Sequence, residues 1–290
     1  MITLFLQGKK GHEVLSAALE SIPEQLAEVV IGTDRNVVND YSQEMLELLK
    51  PTSIPHQCSK KVKTFNSKWA FAIGWQLLIT PEQDQELVVF HDSLLPRLRG
   101  FNPLVTALIN GDEAIGVTAI GAVEEYDRGP ILGQVRKDVT YPITIQEAIE
   151  LISDGYVELF KELSIAITTG EQLSFEAQDE DKATYSLWRD NRDYRVDWSW
   201  DATKIERFVN AVGYPYEGAQ AMVQGNQVFL RQVTALKDVT VENREPGKVI
   251  FKREGKLVVV AGKGLVQIDQ AEDHEGNPLL FETKFRIRFE

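Results

Sequence analysis

Residues 88–134 read VVFHDSLLPRLRGFNPLVTALINGDEAIGVTAIGAVEEYDRGPILGQ, and their pattern decides the fold. An apolar run at 87–90 ends in His91, a loop turns at Leu95-Pro96, and residues 103–109 carry the spacing of a helix. A run of β-branched and small residues at 114–122 then leads to Asp127-Arg128-Gly129. The spacing predicts strand, loop, helix and strand. Placed at the C-terminal ends of neighbouring parallel strands, His91 and Asp127 face one crevice, where open α/β sheets hold ligands. An imidazole beside a carboxylate is an acid–base pair: the carboxylate orients the ring and steadies its charged form, and the ring exchanges a proton with a reacting amine or stabilises a developing oxyanion. On spacing alone, capping or ordinary hydrogen bonding accounts for the same two residues.

Working outward, residues 2–6 form an apolar run closed by Gly8 and Gly11, and Val14, Leu15, Ala18 and Leu19 follow at helical spacing. Residues 28–31 and a helical pattern through Tyr41, Met45, Leu48 and Leu49 repeat the unit, and residues 69–74 give another short run. Strands alternating with helices predict a largely parallel, Rossmann-like α/β sheet with helices on both faces. Residues 144–168 read as a further helix covering that sheet. After a polar, aromatic-dotted stretch, a short helix at 203–211 precedes five strand-like runs, at 219–223, 227–233, 247–252, 256–261 and 265–270, split by turn residues. We therefore expect a catalytic domain at 1–180, a crossing linker at 181–200 and a small C-terminal β-barrel, OB-like, at 201–290.

The chain has 290 residues and a formal net charge of −13, a field that repels phosphate-rich polymers and argues against nucleic-acid binding. Cys58 is the only cysteine, which excludes an intramolecular disulfide and fits a reducing compartment. No run approaches the length of a membrane span, and the first residues lack a signal-peptide pattern; a cytoplasmic protein is expected. His12, His56, His91 and His274 show no metal-ligand spacing, so no metal is expected. The turn Gln7-Gly8-Lys9-Lys10 has neither the dinucleotide nor the P-loop pattern.

HDSLLPRLRG at 91–100, Pro103 with NGD at 110–112, GVT at 116–118 and EEYDRGPIL at 124–132 resemble the folate-dependent formyltransferase superfamily. That superfamily includes glycinamide ribonucleotide transformylase, methionyl-tRNA formyltransferase and the sugar N-formyltransferases. Weaker similarity covers 70–80 and 197–221. The resemblance implies formyl transfer from 10-formyltetrahydrofolate, with His91 on the family histidine and Asp127 on the family aspartate. The family asparagine falls on Val89, which cannot donate a hydrogen bond. Asp92, Asn102 or Gln76, a backbone N–H, a water, or protonated His91 could take its part. The pterin is expected against the loops holding Trp75, Gln76, Leu77, Leu78 and Ile79 and Val123, Glu124 and Tyr126. Core packing explains the apolar members of those loops equally well.

Among superfamily members the chain looks most similar to the enzymes that formylate amino sugars on a nucleotide. The implied substrate is a nucleotide-linked amino sugar, with a UDP-linked 4-amino sugar of the pseudaminic acid pathway as a candidate. Tyr185, Trp188 and Arg189 are then candidates to stack a base and grip a diphosphate, and Gln7 and Lys9 border the acceptor. A solvated linker with aromatic anchors is the plain alternative for the first three. Arg97 and Arg99 are expected to anchor their loop. Methionyl-tRNA formylation, or folate or sugar-nucleotide binding without catalysis, stands as the alternative function. A homodimer is expected by resemblance.

Overall fold

The computed structural model describes residues 1–58, 62–279 and 286–290. The chain divides into two compact units: Met1–Leu104, Glu113–Val139 and Glu147–Leu187 form the first, and Val105–Asp112, Thr140–Gln146 and Trp188–Glu290 the second.

The elements up to the long helix are β1 (Ile2–Leu6), α1 (Gly8–Ser21), β2 (Leu26–Ile31), α2 (Ser42–Leu49), β3 (His56–Cys58), β4 (Trp69–Ile73), β5 (Glu86–His91), β6 (Arg99–Gly100), α3 (Pro103–Asn110), β7 (Ala114–Gly121), β8 (Ile131–Asp138) and α4 (Ile145–Thr169). The first unit is built on a seven-stranded sheet of order β3-β2-β1-β4-β5-β7-β8. β1 is buried at all five positions, as a central parallel strand covered on both faces must be. The order reverses on either side of β1, so the crevice at its C-terminal end lies where β1 and β4 diverge. Gly11 lets α1 sit close to β1, since a Cβ there would lie 3.1 Å from the Cβ of Leu6.

Two features differ from the sequence expectation. The strand β8 follows EYDRGP and was not expected, because ILGQVRKD alternates weakly and its polar positions are those of a sheet edge. More consequentially, β7 runs antiparallel to β5, with Val88 opposite Gly121 and His91 opposite Thr118. His91 and Asp127 therefore do not stand at the ends of two parallel strands. Asp127 reaches the histidine because the loop after β7 folds back.

The last elements are β9 (Tyr185–Ser186), α5 (Ala202–Ala211), β10 (Ala219–Val223), β11 (Asn226–Leu236), β12 (Val249–Arg253), β13 (Lys256–Val260) and β14 (Leu265–Glu272). β9 pairs in parallel with β6, so residues at the start of the expected linker form part of the first unit. In the second unit five antiparallel strands follow the order β10-β11-β14-β13-β12. The final residues close this sheet: Phe289 bridges to Val223 at the end of β10, and Arg288 bridges to Lys248 beside β12. Gly247 permits that closure, since a Cβ there would come 2.1 Å from Phe289 O. Phe289 is 1% exposed and packs on Trp198 at a ring separation of 5.4 Å. Phe289→Ala should lower the unfolding free energy of the second unit by about 3–5 kcal/mol; urea unfolding followed by tryptophan fluorescence measures it, and a loss below 1 kcal/mol would contradict this account of closure.

Candidate active site

Alternation along β5 sends Val89 and His91 to one face of the sheet and Phe90 to the other. His91 is 8% exposed. Its Nε2 lies 2.9 Å from Leu98 O, and a carbonyl oxygen can only accept, so Nε2 carries a hydrogen. Nδ1 is then the nitrogen that gains or loses a proton, and it stands 3.4 Å from Asp127 Oδ1. The loop between them is rigidly tied. Thr118 Oγ1 donates to Ser93 O and accepts from Leu95 N–H, while Gln134 Nε2 donates to Leu95 O and to Thr118 Oγ1. Gly116 of the GVT motif is required here, because a Cβ there would approach the backbone oxygen Val135 O to 2.6 Å and the Leu94 side chain as well.

Asp127 adopts a left-handed backbone conformation at φ 58°. Gly129, two residues on, passes so close to β7 that a Cβ would lie 1.7 Å from Gly121 O, which explains the glycine of DRG. The Asp127 carboxylate accepts a hydrogen bond from Gly100 N–H through Oδ2 at 2.8 Å. Gln178 Nε2 donates to Asp127 O at 2.8 Å and Gly129 O at 2.7 Å, and its Oε1 accepts from Arg99 Nε and Nη2. Arg99, 1% exposed, completes its pairing with Glu180, which also accepts from Arg128. Arg99 thus anchors its loop as expected. The hydrogen bonds from Arg99 and then Arg128 hold the Glu180 carboxyl at about 2, well below its ordinary 4.5. Sequence reading missed Gln178 and Glu180, whose partners lie about fifty residues or more away in the chain.

On the opposite face, Asp92 accepts from Lys10 Nζ through Oδ2 and from Tyr156 OH through Oδ1, both at 2.5 Å. Burial pushes the Asp92 carboxyl up, but Lys10 and the hydrogen bonds from Lys10 and Tyr156 outweigh it and leave it low. Burial and the Asp92 charge raise the Tyr156 phenol well above its usual range. Asp92 is therefore an ionised acceptor committed to Lys10 and Tyr156, and the expectation that it could replace the asparagine as a donor is corrected.

Val89 packs with Trp75 and Val62 against an apolar cluster of Phe5, Val30, Phe65, Ala70, Ala72, Ile79 and Leu87. Trp75 stands edge-on to Phe5 at 5.2 Å, and its Nε1 is buried without a hydrogen-bond partner. Ile79 is core. Leu77, Leu78, Val123 and Tyr126 are exposed, as are Gln76 and Glu124; Gln76 Nε2 lies 3.3 Å from Asp34 Oδ2. Gln7 is buried between Gly32 and Gly74, and Lys9 pairs with Glu150 at 3.5 Å. Asn102 is exposed with φ 51°. Tyr185 projects exposed from β9. Trp188 and Arg189 belong to the second unit, where Trp188 is exposed and Arg189 Nε is buried without a partner. Among the described residues no group of three or more His, Cys, Asp or Glu side chains could hold a metal ion, and no helix is long and apolar enough to cross a membrane.

A Rossmann-like sheet with an imidazole held beside a carboxylate at its crevice, followed by a closed antiparallel β unit, defines a two-part α/β protein. The chain belongs to the formyl transferase family: the formyl transferase model matches residues 7–158, and the model of the formyl transferase C-terminal domain matches residues 190–286. A methionyl-tRNA formyltransferase from Dechloromonas aromatica is 28% identical over 189 residues, covering 65% of this chain and 59% of that protein. The match thus spans well under two thirds of that relative's length. Another from Halothermothrix orenii is 27% identical over 267 residues, covering 89% and 78%. The crystal structure of an N-formyltransferase from Helicobacter canadensis, in complex with folinic acid and dTDP-3-aminofucose, shares the fold with a TM-score of 0.70 at 14% identity, covering 92% of this chain and 98% of that one.

Because Glu180 is held low when folded, its clamp contributes stability that is fully present above pH 4.5 and disappears as pH falls from 4.5 towards about 2. Glu180→Gln should therefore flatten the acid limb of the unfolding temperature in that window relative to the wild type. Parallel acid limbs in the two proteins would remove the clamp from the account.

Proposed function

We propose that this chain transfers a formyl group from 10-formyltetrahydrofolate to the amine of a nucleotide-linked amino sugar, with His91 and Asp127 as the reacting pair. The observation that carries this reading is the fixed ring of His91, whose Nε2–H is committed to Leu98 O while Nδ1 is turned to a carboxylate. His91 Nδ1 takes the proton that the attacking amine loses as its nitrogen bonds to the formyl carbon. Asp127, 3.4 Å away, would stabilise the resulting imidazolium, whose N–H would serve as the acid for the nitrogen that leaves the formyl carbon. Membership of the formyl transferase family supports the reaction.

The residues present fit a folate. A pterin is flat, apolar on its faces and polar at its edge. The apolar cluster lined by Trp75 and Val89 offers a wall, Leu77, Leu78, Val123 and Tyr126 offer exposed apolar surface on two loops, and Trp75 Nε1–H offers an unmatched buried donor. Bound there, 10-formyltetrahydrofolate supplies the electrophilic formyl carbon. For the acceptor, a small anion suits a chain of net charge −13 better than a polyanion does. The structural relative crystallised with dTDP-3-aminofucose supports a nucleotide-linked amino sugar. Within the first unit, Tyr185 beside the Asp127 support is proposed to meet that acceptor. A tRNA acceptor is the second reading, favoured by the sequence relatives, which are methionyl-tRNA formyltransferases.

Incubation with 10-formyltetrahydrofolate and a panel of UDP- and dTDP-linked 3- and 4-amino sugars, with initiator methionyl-tRNA alongside, should yield a mass gain of one formyl group on an amino sugar. His91→Ala and Asp127→Asn should each lower that rate by about 10²–10⁴-fold in protein that retains a cooperative unfolding transition. Normal turnover by either variant rejects the assignment of the pair. Trp75→Phe keeps the ring and deletes the N–H, so the KM for the formyl donor should rise several-fold, in keeping with loss of about 1 kcal/mol of hydrogen bonding; an unchanged KM would exclude the indole as a folate donor.

A further inference from the structure

We propose that Gln178 is a positioning residue for catalysis: it sets the place of the Asp127 carboxylate without touching substrate. The inference rests on the reading of His91 and Asp127 as the reacting pair. Gln178 lies 51 residues beyond Asp127, in the polar stretch whose plain reading is a solvated connector. Its carboxamide is instead fully spent. The two N–H donors go to Asp127 O at 2.8 Å and Gly129 O at 2.7 Å, and Oε1 accepts from Arg99 Nε at 3.0 Å and Arg99 Nη2 at 2.7 Å. Carbonyl oxygens only accept and a guanidinium only donates, so the amide has one orientation that satisfies all four contacts. A reversed amide would face like against like on both sides.

The loop needs such support. Asp127 holds φ at 58°, a left-handed conformation that aspartate adopts more readily than most residues with a Cβ but still at a cost that local hydrogen bonds offset. One support grips its backbone and the other its side chain: Gln178 takes the carbonyls of Asp127 and Gly129, and Gly100 N–H takes Oδ2. Both converge on the same short segment. Gly100 lies on β6, paired with Ser186 on β9, and Arg99 beside it is the guanidinium that fixes Gln178. The stretch from 178 to 186 therefore locates the carboxylate that faces Nδ1 of His91. A displacement of 1 Å at such a group can cost about a hundredfold in rate.

Gln178→Glu separates the two halves of the amide. One carboxylate oxygen still accepts from Arg99, while the other is forced against the carbonyls of Asp127 and Gly129. Gln178→Met, similar in length, deletes the hydrogen bonds and is the second variant should the first not fold. Each folded variant should show kcat for formyl transfer reduced ten- to a hundredfold with the KM for 10-formyltetrahydrofolate within twofold of wild type, a split that simple loss of stability does not produce. Independently of turnover, the ring ¹⁵N signals of His91 should move in labelled protein while those of His12, His56 and His274 stay in place. A kcat within twofold of wild type, or an unmoved His91 ring, overturns the positioning role. If the wild type formylates no acceptor, the functional reading fails and the ring signals alone decide whether Gln178 places the carboxylate.

Discussion

The hydrogen bond from His91 Nε2 to Leu98 O is the constraint on which the site depends, because it decides which nitrogen of the ring is chemically available. A neutral imidazole that rotates freely between tautomers offers a proton acceptor in either of two directions; one whose Nε2–H is committed offers it in one. The commitment requires the loop from Ser93 to Leu98 to return its carbonyl towards the strand it has just left. Thr118 and Gln134 tie that return to β7 and β8, and Gly116 makes room for Leu94 beneath it. The motif residues that look like sequence ornament, the threonine and glycine of GVT and the glycine of DRG, are therefore the conditions for holding one ring in one orientation.

Much of this was legible in the sequence where the constraint is local. The strand ending at His91, the long helix and the five strands of the second unit follow from apolar periodicity and turn residues, and motif context singled out His91 and Asp127, which lie 3.4 Å apart. The polarity of β7 was not. A strand's direction relative to its neighbour is set by the path of the connection between them, and the loop, α3 and turn between β5 and β7 gave no periodic signal of whether the chain crosses over or comes back. The edge strand β8 escaped for a related reason: half its surface is solvated and its pattern is correspondingly mixed. Gln178 was invisible because a carboxamide in a polar stretch carries no sign of its partners, and its four contacts are all long-range.

The two faces of β5 are electrically distinct, and the distinction bears on the chemistry. Asp92 places a second carboxylate one residue from His91, but on the far face, where Lys10 and Tyr156 absorb it. Removing one partner of so enclosed a pair leaves a charge without compensation, which is why such pairs are costly to break even where they contribute little net stability. The pairing also ties the first turn of α1 to α4 across the end of the strand, fixing the crevice wall through an ionic contact. Lys10 is thus the structural lysine of that turn, whereas Lys9 pairs with the half-exposed Glu150.

Val89 sharpens what formyl transfer requires of the remaining groups. Removing a donor from a developing oxyanion costs about 3–4 kcal/mol, whereas an ordinary neutral hydrogen bond contributes about 0.5–1.5 kcal/mol and one to a charged group about 1.5–3. A neutral indole N–H on the Val89 face recovers only part of that loss. On the proposed reading the imidazolium of His91 acts on the formyl oxygen through its charge, since Nε2–H is committed to Leu98 O and Nδ1–H faces Asp127. On that reading, valine at the position where the resemblance puts an asparagine leaves acid–base and electrostatic duties to His91, and raises the demand that its partner carboxylate be held in place. That demand is what the left-handed Asp127, the close passage of Gly129 past Gly121 and the fully spent amide of Gln178 together meet.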